Sequence, residues 1–411
     1  MGLSRRFLNL IMETRIPGAK SMHCIDLKRE QFFNSSSPQP PNGNGSQPEG
    51  PQDATSSWAA AAAAHAAGNQ KSKLAAASKM EKIQLPSQGL NFRAATPTIS
   101  PRRIDCFPLA DRRVLCADQS GRSFLFDAKT NGVLTMPDLH KAKFMPVSLF
   151  VPSDDGDRDG GSLFVMESRL NREPPERCGP QSSQFEAFVY RKPTKASAYK
   201  SWNCELLQPP PFVRDTAYWS RGPPPRISAY TVVGGGSHVC VSVDGAGTYC
   251  FDTASYTWTQ AGEWTLPFVG KVEYVPELKL WFGLSAKDEL LAAADLSAMD
   301  SQPQLVGAWK EFDPPEEWKD ARESQFVSLG SGRFCVARFL HTRHPALGYF
   351  GIEVLERHFT VLTGVEVVPL VDDNGSSGDV NGGNGRVKLR MITHKSKRHM
   401  SHDNGTIEQM F

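Results

Sequence analysis

The chain has 411 residues, of which 39% are hydrophobic and 22% charged. Lys and Arg number 46 against 44 Asp and Glu, so a formal net charge of +2 provides no global attraction to nucleic acid or to an anionic membrane surface. No apolar run approaches the roughly 18 residues of a membrane-spanning helix, so we expect a soluble, folded protein.

Residues 1–33 are predicted to be the first strands of the fold. The segment opens with basic residues, and its apolar run is too short for a secretory signal peptide. Its apolar residues instead indicate strands over 5–13, 21–28 and 31–34. These three strands look like the second, third and fourth of a unit that lacks its first.

Residues 34–95 are a low-complexity insert. The stretch is rich in Ser, Pro, Gln, Asn and Gly, and Leu74 is the only Leu, Ile, Val or Phe between residues 34 and 79. Such a segment buries too little apolar surface to offset the entropy lost on ordering. The composition therefore predicts a disordered connection, and the Asn- and Gly-rich stretch 372–385 predicts a second long loop.

Residues 96–395 repeat one pattern of short strands. Segments 114–127 and 239–252 each contain an apolar strand, a Gly-containing turn, an aromatic-rich strand and a closing Asp. In the clearest copy, glycine-rich turns separate four strands. Those strands span 227–233, 238–243, 248–252 and 256–264. Comparable copies are indicated at about 102–139, 146–207, 227–266, 271–312 and 324–368.

Four-stranded repeats of about 40 to 50 residues are the signature of β-propeller blades. A strand at 386–393 has no hairpin partner, and we expect it to complete the blade begun by residues 1–33, because an open strand edge invites aggregation. The sequence thus predicts an all-β, six-bladed β-propeller closed by N-terminal strands pairing with a C-terminal strand. Seven blades are the alternative if residues 140–226 hold two units, and a pair of β-sandwiches fits the repeat spacing less well. Residues 396–411 are left as a polar basic tail.

Three stretches of the chain together resemble a known family. They are RRFLNLIMETRIPGAKSMHCIDLKREQFF, RRIDCFPLADRRVLCADQSGRSFLFDAKTNGVLTMP and KVEYVPELKLWFGLSA. They are similar to a plant family, expanded in grasses, that is described only as a domain of unknown function. The resemblance covers residues 5–33 and about 96–395. It implies a kelch-like propeller and implies no activity.

The cysteines and histidines form no recognisable metal or redox motif. The eight cysteines are scattered without a Cys-x-x-Cys pair, which predicts reduced, buried thiols. His394, His399 and His402 lack a metal-ligand spacing. We therefore predict no cofactor and no metal site.

No catalytic motif is present either. The sequence contains neither G-x-S-x-G nor H-E-x-x-H. The triple glycine at 234–236 is followed by no Lys-Ser/Thr pair, so it predicts a hairpin turn rather than a phosphate-binding loop. We therefore assign no catalytic residue.

Candidate partner-binding residues lie in the proline-rich connection 209–226. Aromatic and Arg side chains are enriched at binding hot spots, and proline lowers the entropy cost of recognition. The residues selected are Phe212, Tyr218, Trp219, Arg221 and Arg226. The alternative is that these side chains pack against their own blade.

Repeat geometry without catalytic motifs favours a non-enzymatic protein-protein interaction scaffold, of which a substrate receptor or adaptor is one version. The alternative is a propeller enzyme, or a small-molecule or glycan binder, that uses a central channel lined by carboxylates or histidines. We expect a monomer in the cytoplasm or nucleus, with a weak nuclear-import pattern at 395–398. Neither nucleic acid nor a membrane is expected as a partner.

Overall fold

The structure is a computed structural model that describes most of the chain outside the low-complexity insert. The described residues are 5–34, 80–94, 102–109, 112–153, 160–173, 179–192, 197, 199–219, 225–348, 351–370, 388–401 and 405–411. The protein is nearly all β, with 59% strand and 4% helix. Among the described residues, no helix has the length and apolar character needed to span a membrane.

Short antiparallel strands make up the described fold. In chain order the strands are β1 (Phe7–Glu13), β2 (Ala19–Asp26), β3 (Glu81–Lys82), β4 (Leu90–Arg93), β5 (Ile104–Pro108), β6 (Arg113–Asp118), β7 (Ser123–Asp127), β8 (Gly132–Thr135), β9 (Pro146–Pro152), β10 (Gly161–Glu167), β11 (Ser182–Arg191), β12 (Ser201–Leu207), β13 (Ile227–Val233), β14 (His238–Val243), β15 (Gly247–Asp252), β16 (Trp258–Gly262), β17 (Phe268–Val275), β18 (Leu280–Ser285), β19 (Leu291–Ala294), β20 (Leu305–Trp309), β21 (Lys319–Gly330), β22 (Arg333–Gly348), β23 (Gly351–Pro369), β24 (Leu389–Met400) and β25 (Thr406–Met410). The short helices are α1 (Leu27–Glu30) and α2 (Thr216–Trp219), and single 3-10 turns occur at Pro211–Val213 and Gly234–Gly236.

These strands form six four-stranded antiparallel units within the described residues. The first unit has the order β25-β1-β2-β4, and the other five are β5 to β8, β9 to β12, β13 to β16, β17 to β20 and β21 to β24. Parallel pairing of Ala229 with Gly270 and of Tyr230 with Lys271 joins the fourth and fifth units into one eight-stranded sheet. The short strand β3 extends the sixth unit by pairing with β24.

Each unit packs on the next through an apolar cluster. Buried pairs that share a cluster are Met22 with Cys116 between the first and second units, Phe107 with Phe188 between the second and third, Phe185 with Phe251 between the third and fourth, Val233 with Phe268 between the fourth and fifth, and Phe282 with Phe334 between the fifth and sixth. A further cluster contains Leu10 of the first unit and Phe339 of the sixth. The packing therefore runs through all six units and returns to the first.

A C-terminal strand pairs with the N-terminal strands, as expected, but it is not the strand that the sequence indicated. Residues 389–400 form β24, which pairs with β23 and completes the sixth unit. The strand that pairs with β1 is Thr406–Met410. The prediction of a polar tail over 396–411 is therefore wrong, because Ile407, Met410 and Phe411 are buried.

The fourth strand of the first unit also lies elsewhere than predicted. Residues 31–34 form no strand, and Phe32 is buried in the cluster between the first and sixth units. Leu90–Arg93 pairs with β2 instead. The end of the predicted disordered insert is thus ordered and buries Ile83 and Phe92. Residues 35–79 lie outside the described part of the chain.

The internal repeats agree with the predicted copies. The strands of the second to fifth units fall inside or within a few residues of the predicted ranges. Within the described part of 140–226 there is one four-stranded sheet, β9 to β12, rather than two. The sixth unit differs because its fourth strand, β24, follows the predicted copy at 324–368 and lies beyond the loop predicted at 372–385.

One pair of cysteines corrects the prediction of reduced thiols. Cys240 and Cys250 lie directly opposite each other on β14 and β15, with Cα atoms 4.1 Å apart, and form a disulfide. Cys106 and Cys116 face each other in the same way across β5 and β6, but their sulfurs are 3.7 Å apart and unbonded. The antiparallel register brings the two cysteines of each pair opposite each other. Their positions in the sequence alone did not indicate this pairing.

Candidate functional site

The described residues enclose a large cavity of about 1670 Å³. Residues from β5, β9, β13, β17, β21 and β25 line it, so every one of the six units contributes to the wall. Each of these strands is the end strand of its four-stranded unit. The cavity also extends into a cleft between the fourth and fifth units, where Trp281, Leu296 and Met299 line it.

Strand β17 contributes charged side chains to this wall. Lys271 and Glu273 of β17 both line the cavity. Val272, between them, is 2% exposed and belongs to the apolar cluster between the fourth and fifth units. Val272 also borders the cavity, so this one strand supplies both a core residue and charged residues of the wall.

Four carboxylates line the cavity, and each has a basic partner. Asp105 pairs with Arg103 at 3.1 Å, Glu273 pairs with Lys271 at 2.7 Å, Glu408 pairs with Lys20 at 2.6 Å, and Glu323 pairs with Arg226. The Arg226–Glu323 pair joins the fourth unit to the sixth, and its side chains are 40% and 55% exposed. Exposed ion pairs contribute at most about 1 kcal/mol to stability, so a charged ligand can replace one side chain of this pair at little cost in free energy.

The cavity also perturbs titratable groups. Burial, with the negative charges of Glu273 and Glu323 nearby, raises the pKa of Tyr230 to about 12. Burial raises the pKa of Asp105 above its ordinary value, and Arg103 opposes that shift. Burial acts in the same direction on Glu273, but Lys271 holds the pKa of Glu273 below its usual value. At neutral pH the wall therefore presents a neutral phenol beside an ionised Glu273.

The residues selected from sequence as partner-binding separate into different environments. Phe212 is 4% exposed and packs in the cluster between the third and fourth units, so it offers almost no surface to a partner. The indole N–H of Trp219 donates to the carbonyl oxygens of Phe212 and Val213 at 3.1 and 3.0 Å. The Tyr218 hydroxyl donates to the carbonyl of Asp244 at 3.1 Å.

The other two selected residues, Arg221 and Arg226, differ in what the structure shows of them. Arg221 lies outside the described residues. Arg226 lines the cavity, where it meets Glu323. The other charged residues of the wall were missed, because they come from several strands of different units and no local motif connects them. Alternation of charged and apolar residues within a strand such as β17 was the one available signal.

A second polar cluster lies beside the core between the second and third units. Lys143 and Glu186 form an ion pair, and neither side chain has exposed surface. The Lys143 ammonium also donates to the carbonyl of Lys141 at 2.6 Å. The other carboxylate oxygen of Glu186, Oε2, accepts the backbone N–H of His140 at 2.9 Å. It also contacts His140 Nδ1 at 2.7 Å and the Cys204 sulfur at 3.2 Å.

Burial dominates the electrostatics of this cluster. It lowers the pKa of Lys143, although Glu186 opposes the shift. It acts to raise the pKa of Glu186, but Lys143 and the donors of His140 hold that pKa below its ordinary value. Burial and the neighbouring carboxylate raise the pKa of the Cys204 thiol. The arrangement attaches the β8–β9 connection, which carries His140 and Lys143, to the third unit.

Comparison with known proteins gives a family and distant structural neighbours. A family model described as "Protein of unknown function (DUF1668)" matches residues 5–399. No curated protein matches the chain.

Two solved structures illustrate the structural matches. One is the β-propeller domain of Cps50 (Swd1) from Myceliophteria thermophila, at 11% identity and a TM-score of 0.28, where the match covers 49% of this chain and 59% of that one. The other is a protein of unknown function from Bacteroides thetaiotaomicron VPI-5482, at 11% identity and a TM-score of 0.31, with 62% and 54% covered. The chain thus spans less than two thirds of either neighbour.

Proposed function

The chain belongs to the DUF1668 family of proteins of unknown function, and we propose that it is a six-bladed, kelch-like β-propeller that acts as a non-enzymatic protein-interaction scaffold. Three observations support the fold: the six four-stranded units, their packing from each unit to the next and back to the first, and the pairing of β25 with β1. In a propeller, the six cavity-lining strands are the innermost strands of the blades.

The observation that carries the proposed function is the charged cavity at the centre of this arrangement. Its volume of about 1670 Å³ exceeds the roughly 300–1,000 Å³ of typical small-molecule pockets. A charged, extended segment of a partner protein fits both that size and the exposed Arg226–Glu323 pair of the wall, either side chain of which it can bind in place of the other. Arg226 connects this site with the partner-binding residues selected from the sequence.

Reversing one ion pair tests this proposal. Exchanging the charges of the Arg226–Glu323 pair, with Arg226→Glu and Glu323→Arg, keeps an attractive pair but reverses its direction in the cavity. We expect the partner recovered with the intact chain from its native cells to fall at least about tenfold in quantitative mass spectrometry, since placing like charges together costs several kcal/mol at an interface. The melting temperature should stay unchanged because both side chains are largely exposed.

The matched control is the exposed pair Lys310–Asp313, which lies outside the cavity wall. Exchanging its charges, with Lys310→Asp and Asp313→Lys, should leave partner recovery intact. If both exchanged chains recover as much partner as the native chain, the cavity is not the partner-binding site. Loss of recovery with both would indicate a general effect of charge rather than a site.

A propeller enzyme or a small-molecule or glycan binder remains the second candidate, and the cavity carboxylates favour it. Glu273 and Glu323 both lie near the Tyr230 hydroxyl, closely enough to raise its pKa. A thermal-shift screen of metabolites and glycans tests this candidate. A ligand that raises the melting temperature of the intact chain, but not of the chain with the Arg226–Glu323 exchange, would favour it over the scaffold.

A further inference from the structure

His140, Glu186 and Cys204 bring three different metal-ligand atoms together. His140 Nδ1, a carboxylate oxygen of Glu186 and the Cys204 sulfur all lie within 4.8 Å of one another. These residues are far apart in the sequence, so they match no metal-binding motif of fixed spacing. The β8–β9 connection supplies His140, while β11 and β12 supply the other two.

We propose that these three side chains form a binding site for a zinc ion. Imidazole, carboxylate and thiolate are the three side-chain ligand types that Zn²⁺ takes. The carboxylate oxygen is 2.7 Å from His140 Nδ1 and 3.2 Å from the Cys204 sulfur, and the sulfur is 4.0 Å from Nδ1. Around tetrahedral zinc such atoms lie roughly 3.3–3.6 Å apart, so shifts of less than about 1 Å produce the ligand geometry.

The surroundings of the cluster suit a bound cation of this kind. Lys143 contacts Oε1 of Glu186, whereas His140 and Cys204 contact Oε2, so the ammonium and the metal use different oxygens of one carboxylate. A second hydrogen-bonding partner that orients a ligand is the usual arrangement around protein-bound metals. The His140 side chain is 46% exposed, which gives the metal a route from solvent and leaves the fourth position for water.

The charges of the occupied site sum to +1. Binding requires the Cys204 thiolate, so the thiol proton leaves to solvent as zinc enters. The two positive charges of zinc and the one of Lys143 then meet the two negative charges of Glu186 and Cys204, and the remaining positive charge lies beside the half-exposed His140. Lys143 remains paired with its own oxygen of Glu186.

Cobalt(II) titration of the purified, metal-free full chain tests the site directly. We expect one equivalent of cobalt to produce the intense visible absorption of a tetrahedral centre and a thiolate-to-cobalt charge-transfer band, and zinc to abolish both by displacing cobalt. Cys204→Ser should remove the charge-transfer band. His140→Ala should weaken zinc binding by at least about tenfold.

Two matched variants control for the other thiols and histidines. Cys24→Ser removes another partly buried thiol, and His238→Ala removes another partly exposed imidazole; neither should change the titration. Equal melting temperatures of the metal-free chains would show that the fold is intact. Absence of the charge-transfer band at saturating cobalt, or its persistence in Cys204→Ser, would overturn the proposal.

Discussion

Removal of residues 406–411 is expected to prevent the chain from folding. These residues form β25 and bury Ile407, Met410 and Phe411 against the first, second and sixth units. Truncation of a single side chain of this size in a core costs about 2–5 kcal/mol. The three losses together reach the stability of an entire domain, which is about 5–15 kcal/mol. Loss of the strand also leaves the edge of β1 unpaired, including the hydrogen bonds between Asn9 and Phe411.

Circular dichroism and urea unfolding measure this effect. The informative comparison is replacement of the far longer segment 35–79 by a short Gly-Ser linker, which we expect to be tolerated because its composition offers little apolar surface. The original boundaries 34–95 would be unsuitable, since that deletion removes β4 and Phe92. A C-terminally truncated chain with the native unfolding midpoint would contradict the role assigned to β25.

Replacement of Lys143 by Met is expected to destabilise the protein by about 3–5 kcal/mol at neutral pH, because it leaves the charge of Glu186 buried without its cation. Neither side chain of this pair has exposed surface, so solvent cannot replace the lost partner. The backbone N–H groups of His140 and Lys141 remain as donors to the carboxylate. Urea unfolding at pH 7 measures the loss, and adding Glu186→Gln should recover part of it.

The stability lost in Lys143→Met should depend on pH, and the folded-state pKa of Glu186 gives the direction of that dependence. Glu186 has a folded-state pKa below its ordinary value, so its stabilising contribution is complete above the unfolded pKa of about 4.3 and is lost as the pH falls through the folded pKa. In Lys143→Met the carboxyl is protonated more readily. The stability difference between the native chain and the variant should therefore narrow as the pH falls through the higher carboxyl pKa of the variant, and should be smallest below the folded-state pKa of Glu186 in the native chain. A difference that stays constant with pH would contradict an ionised buried pair.

The repeat pattern predicted most of the strands, because each unit is encoded by local apolar alternation and glycine turns. The ends of the chain were predicted less well. Leu90–Arg93 and Thr406–Met410 are short and contain polar residues, so their sequences give little strand signal. Their position depends on β1 and β2, which are far away in sequence. Conversely, the sequence of the segment that contains Phe32 indicates a strand, but the Phe32 side chain packs in the apolar cluster between the first and sixth units.

The candidate sites were harder to predict than the fold. The cavity is lined by charged residues from different units, and only the assembled arrangement brings Arg226 to Glu323. The Lys143–Glu186 pair could not be predicted for the same reason, since no local sequence pattern marks a buried lysine or its carboxylate partner. The hot-spot composition of the 209–226 connection selected Arg226, which lines the cavity, and also Phe212, whose aromatic ring packs in the core.

A disulfide across β1 and β25 tests the proposed closure of the six units by the two ends of the chain. Glu13 and Thr406 are register partners on these strands, and cysteines at directly opposed positions of antiparallel strands have a separation that a disulfide can span. The Arg343→Cys, Glu356→Cys chain, whose pair faces across one hairpin, serves as the positive control for oxidation. We predict that non-reducing peptide mapping of the folded Glu13→Cys, Thr406→Cys chain recovers residues 13 and 406 in one linked peptide. Linkage in the hairpin control, with residues 13 and 406 remaining unlinked, would contradict closure.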